Sequence, residues 1–245
     1  MEFKPETFGA IYADEYDDEH DPGTTAAAVA LLNTLAAGRR TLELAVGTGR
    51  VALPLAAEGL DIVGIEASAA MIARLREKPG GERLPVVEGD MSRTRAEGRF
   101  GFAYLIFNTL FNLTSQEDQV RCFATVAAQL EAGGEFLIET LVPAHLGLES
   151  AGGQTLRTLA VDQERLEFEG ACHDPVAQIV DFQRVRLTAD GVRLRPLRFR
   201  YATPGEIDLM ARLAGFVRID RWSNWQRSAF TADSRSHLTL YRKAP

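Results

Sequence analysis

Between residues 41 and 141 the chain alternates short apolar runs with helix-like stretches, and this alternation restricts the possible folds more than any other feature of the sequence. TLELAV (41–46), LDIVGIE (60–66), LPVVEGD (84–90), FGFAYLIFN (100–108) and GEFLIETL (134–141) read as buried strands. Helical signals fall around them. Thr24 and Thr25 can cap AAAVALLNTLAA, which stops near Gly38, and Arg50 to Glu58 runs up to Gly59. Ser68 reads as the cap of AAMIARLREK, and Ser115 and Asp118 stand at capping-box spacing ahead of another amphipathic run. Apolar strands separated by helices predict a parallel sheet covered on both faces, the doubly wound α/β arrangement. In such sheets ligands sit beyond the carboxyl ends of the strands, so residues that follow strands become the candidates for function.

After Pro143 the pattern changes to consecutive strand-like segments, TLRTLAV, RLEFEGA, AQIVDFQRVRL and VRLRPLRFRYA, joined by polar turns such as Ala189-Asp190-Gly191. Nothing helical separates them, which predicts an antiparallel insertion over 154–201 that forms a lid or a wall of the site. A helix from Thr203 to Gly215 and two final strands then return to the main sheet. The expected division is an arm and helix over 1–40, a core over 41–153, the insertion, and completing elements over 202–245.

Composition narrows the functions available. A net charge of −7 gathers no polyanion, so nucleic acid is not an expected partner. Two cysteines fifty positions apart suggest neither a disulfide framework nor a metal cage, and no metal is expected. The amino-terminal stretch lacks the features of a secretory signal, and no run approaches the roughly 18 apolar residues of a membrane span. The expectation is a cytoplasmic protein, monomer or homodimer, acting without a membrane. The acidic run from Asp14 to Asp21 reads as a solvated arm, or as a segment that a ligand orders.

Gly47-Thr48-Gly49-Arg50-Val51-Ala52 fits the glycine turn that brings backbone close to a ligand, and Glu66 follows Gly47 by 19 positions, where a carboxylate would meet a ribose. These features alone admit an NAD(P)-dependent oxidoreductase. Glu43 argues otherwise, because a carboxylate just ahead of the turn repels a pyrophosphate and suits a cationic ligand. Asp90 and Met91 end the third strand, where an acid can accept from an exocyclic amine and a thioether can pack on a ring. Blander readings stand beside these. Glu43 could satisfy a helix end, Glu66 and Asp90 could cap turns, Met91, Phe107 and Phe111 could be core, and Asn108 and Asn112 could form turns.

Taken together, the glycine-turn motif from Glu43 to Arg50, the Ile65-Glu66 pair, Gly89-Asp90-Met91, the stretch from Tyr104 to Leu113 and the terminal Ala214-Gly215-Phe216 resemble the class I S-adenosylmethionine-dependent methyltransferases. The resemblance is to the small-molecule branch, which includes sugar N-methyltransferases and glycine N-methyltransferase-like enzymes. It implies a Rossmann-like fold and S-adenosylmethionine as cofactor, with methyl transfer to N, O or C of a small acceptor, a specialised metabolite. It also implies that Gly47 and Gly49 admit the methionyl part, with Glu43 near its ammonium. Glu66 would hold the ribose, Asp90 the adenine amine, and Met91 the ring. Phe107 and Asn108 would face the methyl donor, and Tyr12 and Tyr16 would close over it. Ala45, Thr48, Arg50, Ala67 and Met71 complete the expected neighbours, Ala45 standing where the family most often has glycine.

Methyl transfer from a sulfonium is an in-line displacement that needs a base only when the acceptor is a hydroxyl. Of four histidines, His145 follows the fifth strand and is the candidate base; His173 is a poorer one, and Tyr12 could orient an acceptor. Alternation puts Arg184 and Arg186 on one face of their strand, which reads as a solvated face or as a grip on an anionic acceptor, as do Arg198 and Arg200. Trp222 and Trp225 could face an aromatic acceptor or pack as core.

Overall fold

The structure, a computed structural model, describes residues 3–19, 23–146 and 153–244. Its main sheet contains β1 (Thr41–Leu44), β2 (Ile62–Glu66), β3 (Val86–Glu88), β4 (Phe100–Leu105) and β5 (Leu130–Leu141). An insertion carries β6 (Gln154–Val161), β7 (Arg165–Asp174), β8 (Ile179–Thr188) and β9 (Gly191–Arg200), and β10 (Phe216–Trp222) and β11 (Ser236–Lys243) rejoin the main sheet. That sheet has seven strands in the order β10-β11-β5-β4-β1-β2-β3. The β1–β5 strands run parallel, and β11 and β10 add antiparallel to β5 and to each other. Strand order reverses beside β1, which has β2 on one flank and β4 on the other, so a crevice opens beyond its carboxyl end.

The helices are α1 (Thr7–Tyr12), α2 (Tyr16–Glu19), α3 (Thr25–Ala36), α4 (Ala52–Ala57), α5 (Ala69–Arg76), α6 (Gln116–Gln129) and α7 (Pro204–Leu213). Every residue of β1, β2 and β4 is buried, as expected of strands covered on both faces. Three caps follow the sequence signals: Ser68 accepts from Met71 N, Ser115 from Asp118 N and Thr203 from Glu206 N. Two expectations shift. Thr24 holds the cap position of α3 without a side-chain bond, while the Thr25 hydroxyl accepts from Arg50 Nη1. α4 starts at Ala52 rather than Arg50, because the turn before it is held open by Gly49 at φ 79°. No helix among the described residues is long and apolar enough to cross a membrane.

The arm is helical and packed against the core rather than simply solvated. Tyr12 and Ala13 are buried, and α1 packs on α5 at Gly9, where an added Cβ would stand 2.3 Å from Ser68 Cβ. Only glycine allows so close an approach. The last residues of the acidic run, up to Asp21, lie outside the described residues.

The insertion is a four-stranded antiparallel sheet in the order β6-β7-β8-β9, and it is turned inside out. Its register aligns Glu169, Arg184 and Arg195 in one cross-strand row and Glu167, Arg186 and Arg193 in the next. The alternate rows are apolar: Leu166, Leu187 and Val192, then Phe168, Val185 and Leu194. Glu167, Glu169 and Arg195 are buried, whereas Val192 and Leu194 are exposed. The face read as solvated therefore looks inward, and the acidic arm meets it there, Glu15 pairing with Arg186, Arg193 and Arg195.

Candidate active site

The turn after β1 is built from left-handed backbone. Ala45, Gly47 and Gly49 take φ of 52°, 56° and 79°. An L-residue in that region costs about 1–2 kcal/mol, so Ala45 keeps the backbone of the usual glycine under strain. Glu66 secures the turn from β2: its Oε2 accepts from Gly47 N at 2.8 Å and its Oε1 from Ser68 N at 2.9 Å. Burial raises its pKa, against the pull of these amides.

A cleft opens over this turn. Ala45, Gly47, Glu66, Ala67, Met71, Asp90 and Met91 line it, and Phe8, Gly9 and Tyr16 of the arm cover it. Asp90 holds its own loop, accepting from Ser92 N at 2.7 Å and Ser92 Oγ at 2.9 Å. A second cavity lies between the core and the insertion. Tyr12, Phe107, Asn108 and Phe111 line it from the arm and core; Glu169, Phe182, Arg184, Arg195, Leu197 and Phe199 line it from the sheet. Phe8, Tyr16, Thr109 and Asn112 border both spaces and so mark where they meet. Burial pushes the Tyr16 phenol up to about 12.

The remaining expected residues line neither space. Glu43 is buried, accepts from Tyr104 Oη at 2.7 Å, and is pushed by burial up to about 8. Arg50 stacks over the Phe107 ring at 5.0 Å, and its buried Nε has no hydrogen-bond partner. Thr48 donates to Asp17 Oδ1 at 2.6 Å, tying the turn to the arm, and Gly49 packs against Leu53. His145 is exposed on the short turn Pro143–His145, away from both cavities. His145 follows β5 as expected but lines neither of the two spaces.

Other candidates resolve into structural roles. His173 bonds Tyr201 Oη, and His237 is fully buried between Thr140 and Thr239, its pKa pushed down to about 3 by burial. Arg198 pairs with Asp181, and buried Arg200 binds Glu206, Gln119 and Gln178. Trp222 packs in the core, and Trp225 donates to Glu139 Oε1 at 3.0 Å.

Glu139, which the sequence reading missed, braces the turn that follows β4. Its Oε2 accepts from Phe107 N at 2.8 Å and its backbone oxygen from Asn108 N at 3.2 Å. Asn108 Oδ1 in turn accepts from Leu141 N at 2.5 Å. Phe107 and Asn108 stand at φ 60° and 62°, two consecutive strained residues that β5 holds in place. The available signal was a lone acid in the apolar strand GEFLIETL. Gly9, Glu169 and Phe182 were also missed as lining residues, whereas Arg184, read as a solvated residue or a grip on an anion, does line the second cavity.

The chain is similar to known methyltransferases. A methyltransferase-domain family model matches residues 41–134. The CcbJ methyltransferase from Streptomyces caelestis is 37% identical, covers 99% of this chain and 100% of its own, and superposes with a TM-score of 0.91. Cypemycin N-terminal methyltransferase from Streptomyces sp. is 26% identical over 84% of each chain. The sugar N-methyltransferase KedS8 from Streptoalloteichus sp. shares the fold, with a TM-score of 0.68 at 17% identity over 96% of this chain and 93% of its own.

Proposed function

The chain belongs to the S-adenosylmethionine-dependent methyltransferases, and on that premise we propose that it methylates a nitrogen of a small acceptor, an amine of a specialised metabolite. The cleft fits the cofactor. Glu66 has oxygen lone pairs left for ribose hydroxyls, Asp90 can accept from an adenine amine, and Met71 and Met91 offer thioethers to its ring. The unpartnered Nε of Arg50, beside the turn, suits the methionyl carboxylate. When bound, the cofactor supplies an electrophilic methyl on a sulfonium, so the hard chemistry is its own.

The protein's part is alignment. Phe8, Tyr16, Thr109 and Asn112, shared by the two spaces, would hold the acceptor nitrogen in line with the methyl, a proximity effect of about 7–11 kcal/mol. Glu139 holds Phe107 and Asn108, which line the second cavity next to Thr109, in strained conformations, making it a positioning residue.

The choice of nitrogen rests on one observation: among the described residues, the titratable side chains lining the second cavity are Tyr12, Tyr16, Glu169, Arg184 and Arg195. Tyr16 is raised to about 12, and Glu169 is engaged by Arg157 and Arg184. A hydroxyl acceptor calls for a base poised near neutrality; a neutral amine brings its own lone pair. The name of the cypemycin enzyme, an N-terminal methyltransferase, supports the same reading. Nicotinamide chemistry has no support, since the relatives described are methyltransferases.

The test uses methyl-labelled S-adenosylmethionine with matched cyclic amines and alcohols over a range of pH. Label is expected on the amines, at rates that rise with pH through each acceptor's own pKa. Label on the alcohols, or a break at one pH for every acceptor, would contradict the proposal.

A further inference from the structure

We infer that the acceptor carries a compact anion, a carboxylate or a phosphate monoester, which docks on Arg184 in the wall that the insertion gives to the second cavity. The inference rests on reading that cavity as the acceptor site.

The inward face of the insertion concentrates positive charge in an acidic protein. Glu169 is shared by Arg157 and Arg184, Glu167 by Arg165 and Arg186, and Glu15 of the arm by Arg186, Arg193 and Arg195, while Arg165 also reaches Asp162. Among the described residues, six guanidinium groups (157, 165, 184, 186, 193, 195) thus meet four carboxylates (15, 162, 167, 169) in a chain whose net charge is −7. An antiparallel sheet with one solvated side ordinarily turns its charges outward. Here the apolar rows are on the outside, so the charged rows are kept on the side of the cavity.

Arg184 is the least satisfied member of this set that lines the cavity. Its Nη2 reaches Glu169 Oε2 at 3.3 Å, whereas Arg157 grips the other oxygen of the same carboxylate with two nitrogens, at 3.0 and 2.7 Å. Arg184 Nε is buried and has no hydrogen-bond partner. A buried donor left without a partner destabilises the site. The group that recovers this cost is an anion able to take Nε–H and a neighbouring N–H together, the forked geometry that a guanidinium offers to carboxylate or phosphate. Phe182, Leu197, Phe199 and Phe111 surround the position with apolar surface, which strengthens a charge pair and suits an aromatic or aliphatic body between the anion and the amine.

The experiment is calorimetric titration of protein saturated with S-adenosylhomocysteine, using 3-phenylpropionate, phenyl phosphate and the uncharged 3-phenylpropanamide as probes. At least one anion is expected to bind ten-fold or more tightly than the amide, and the stronger of the two identifies the anion. Arg184→Gln is expected to abolish the preference of anion over amide, and Arg184→Lys, which keeps the charge without the fork, to retain part of it. Equal binding of anions and amide, failure of all three to bind, or a preference that survives Arg184→Gln would overturn the inference. Failure of the wild-type protein to take up S-adenosylhomocysteine in the first place would instead count against the proposed function.

Discussion

The two cavities are made in different ways. The cleft over β1 is built from backbone: left-handed turns, amide groups and one carboxylate, each placed by where a parallel strand ends. The wall of the second cavity is built from side chains that alternate along an inserted sheet, so its character depends on which face of that sheet looks inward. The first construction suits a cofactor common to many enzymes. The second can change its ligand through a few substitutions without touching the core.

This difference can be broken or sharpened by mutation, the largest effect being expected at the arm that covers the cleft. Gly9→Val places methyl groups where Ser68 already stands, so α1 cannot seat on α5. S-adenosylhomocysteine affinity should fall at least ten-fold, with faster proteolysis of the arm and an unchanged melting temperature for the core. Unaltered affinity would show that the arm contributes nothing to the cleft.

Glu43 comes next. Folding raises its carboxyl to about 8, so between about 4.5 and 8 the folded chain keeps a proton that the unfolded chain has released. Stability therefore declines as pH rises through that window, by up to ~1.4 kcal/mol per pH unit from this group, and the decline ends above it. Glu43→Gln can still accept from Tyr104 Oη and should flatten the slope in urea titrations at successive pH values. Equal slopes in the two proteins would remove Glu43 from the account. The smallest effect is expected at Ala45→Gly, which relieves a left-handed alanine and at the same time loosens the unfolded chain; the net gain should be under about 1 kcal/mol, with cofactor affinity unchanged.

The same contrast explains what could be read from the sequence. The alternation of strands and helices, the glycine turn and the spacing from Gly47 to Glu66 are local or evenly spaced signals, and they led to the sheet, the crevice and most of the cleft lining. The four strands of the insertion were equally plain. Its orientation was not: alternation groups Arg184 with Arg186, but which face turns inward is decided by packing against the arm and core. Glu139 was hidden because its role depends on β4 lying beside β5, and Gly9 because its role depends on α1 meeting α5. His145 follows a strand, the position that suggested the mouth of the site, and it stands exposed on the turn Pro143–His145.

The central claim is that cofactor binding resides in the backbone-built cleft and acceptor choice in the side-chain wall. The most direct test is the affinity of S-adenosylhomocysteine for two variants measured beside the wild type. Glu66→Ala removes the carboxylate from the cleft and should weaken binding about 100-fold, the loss of charged hydrogen bonds worth roughly 3 kcal/mol. Phe182→Ala alters only the wall and should leave that affinity within two-fold of wild type. Comparable losses in both variants would contradict the division.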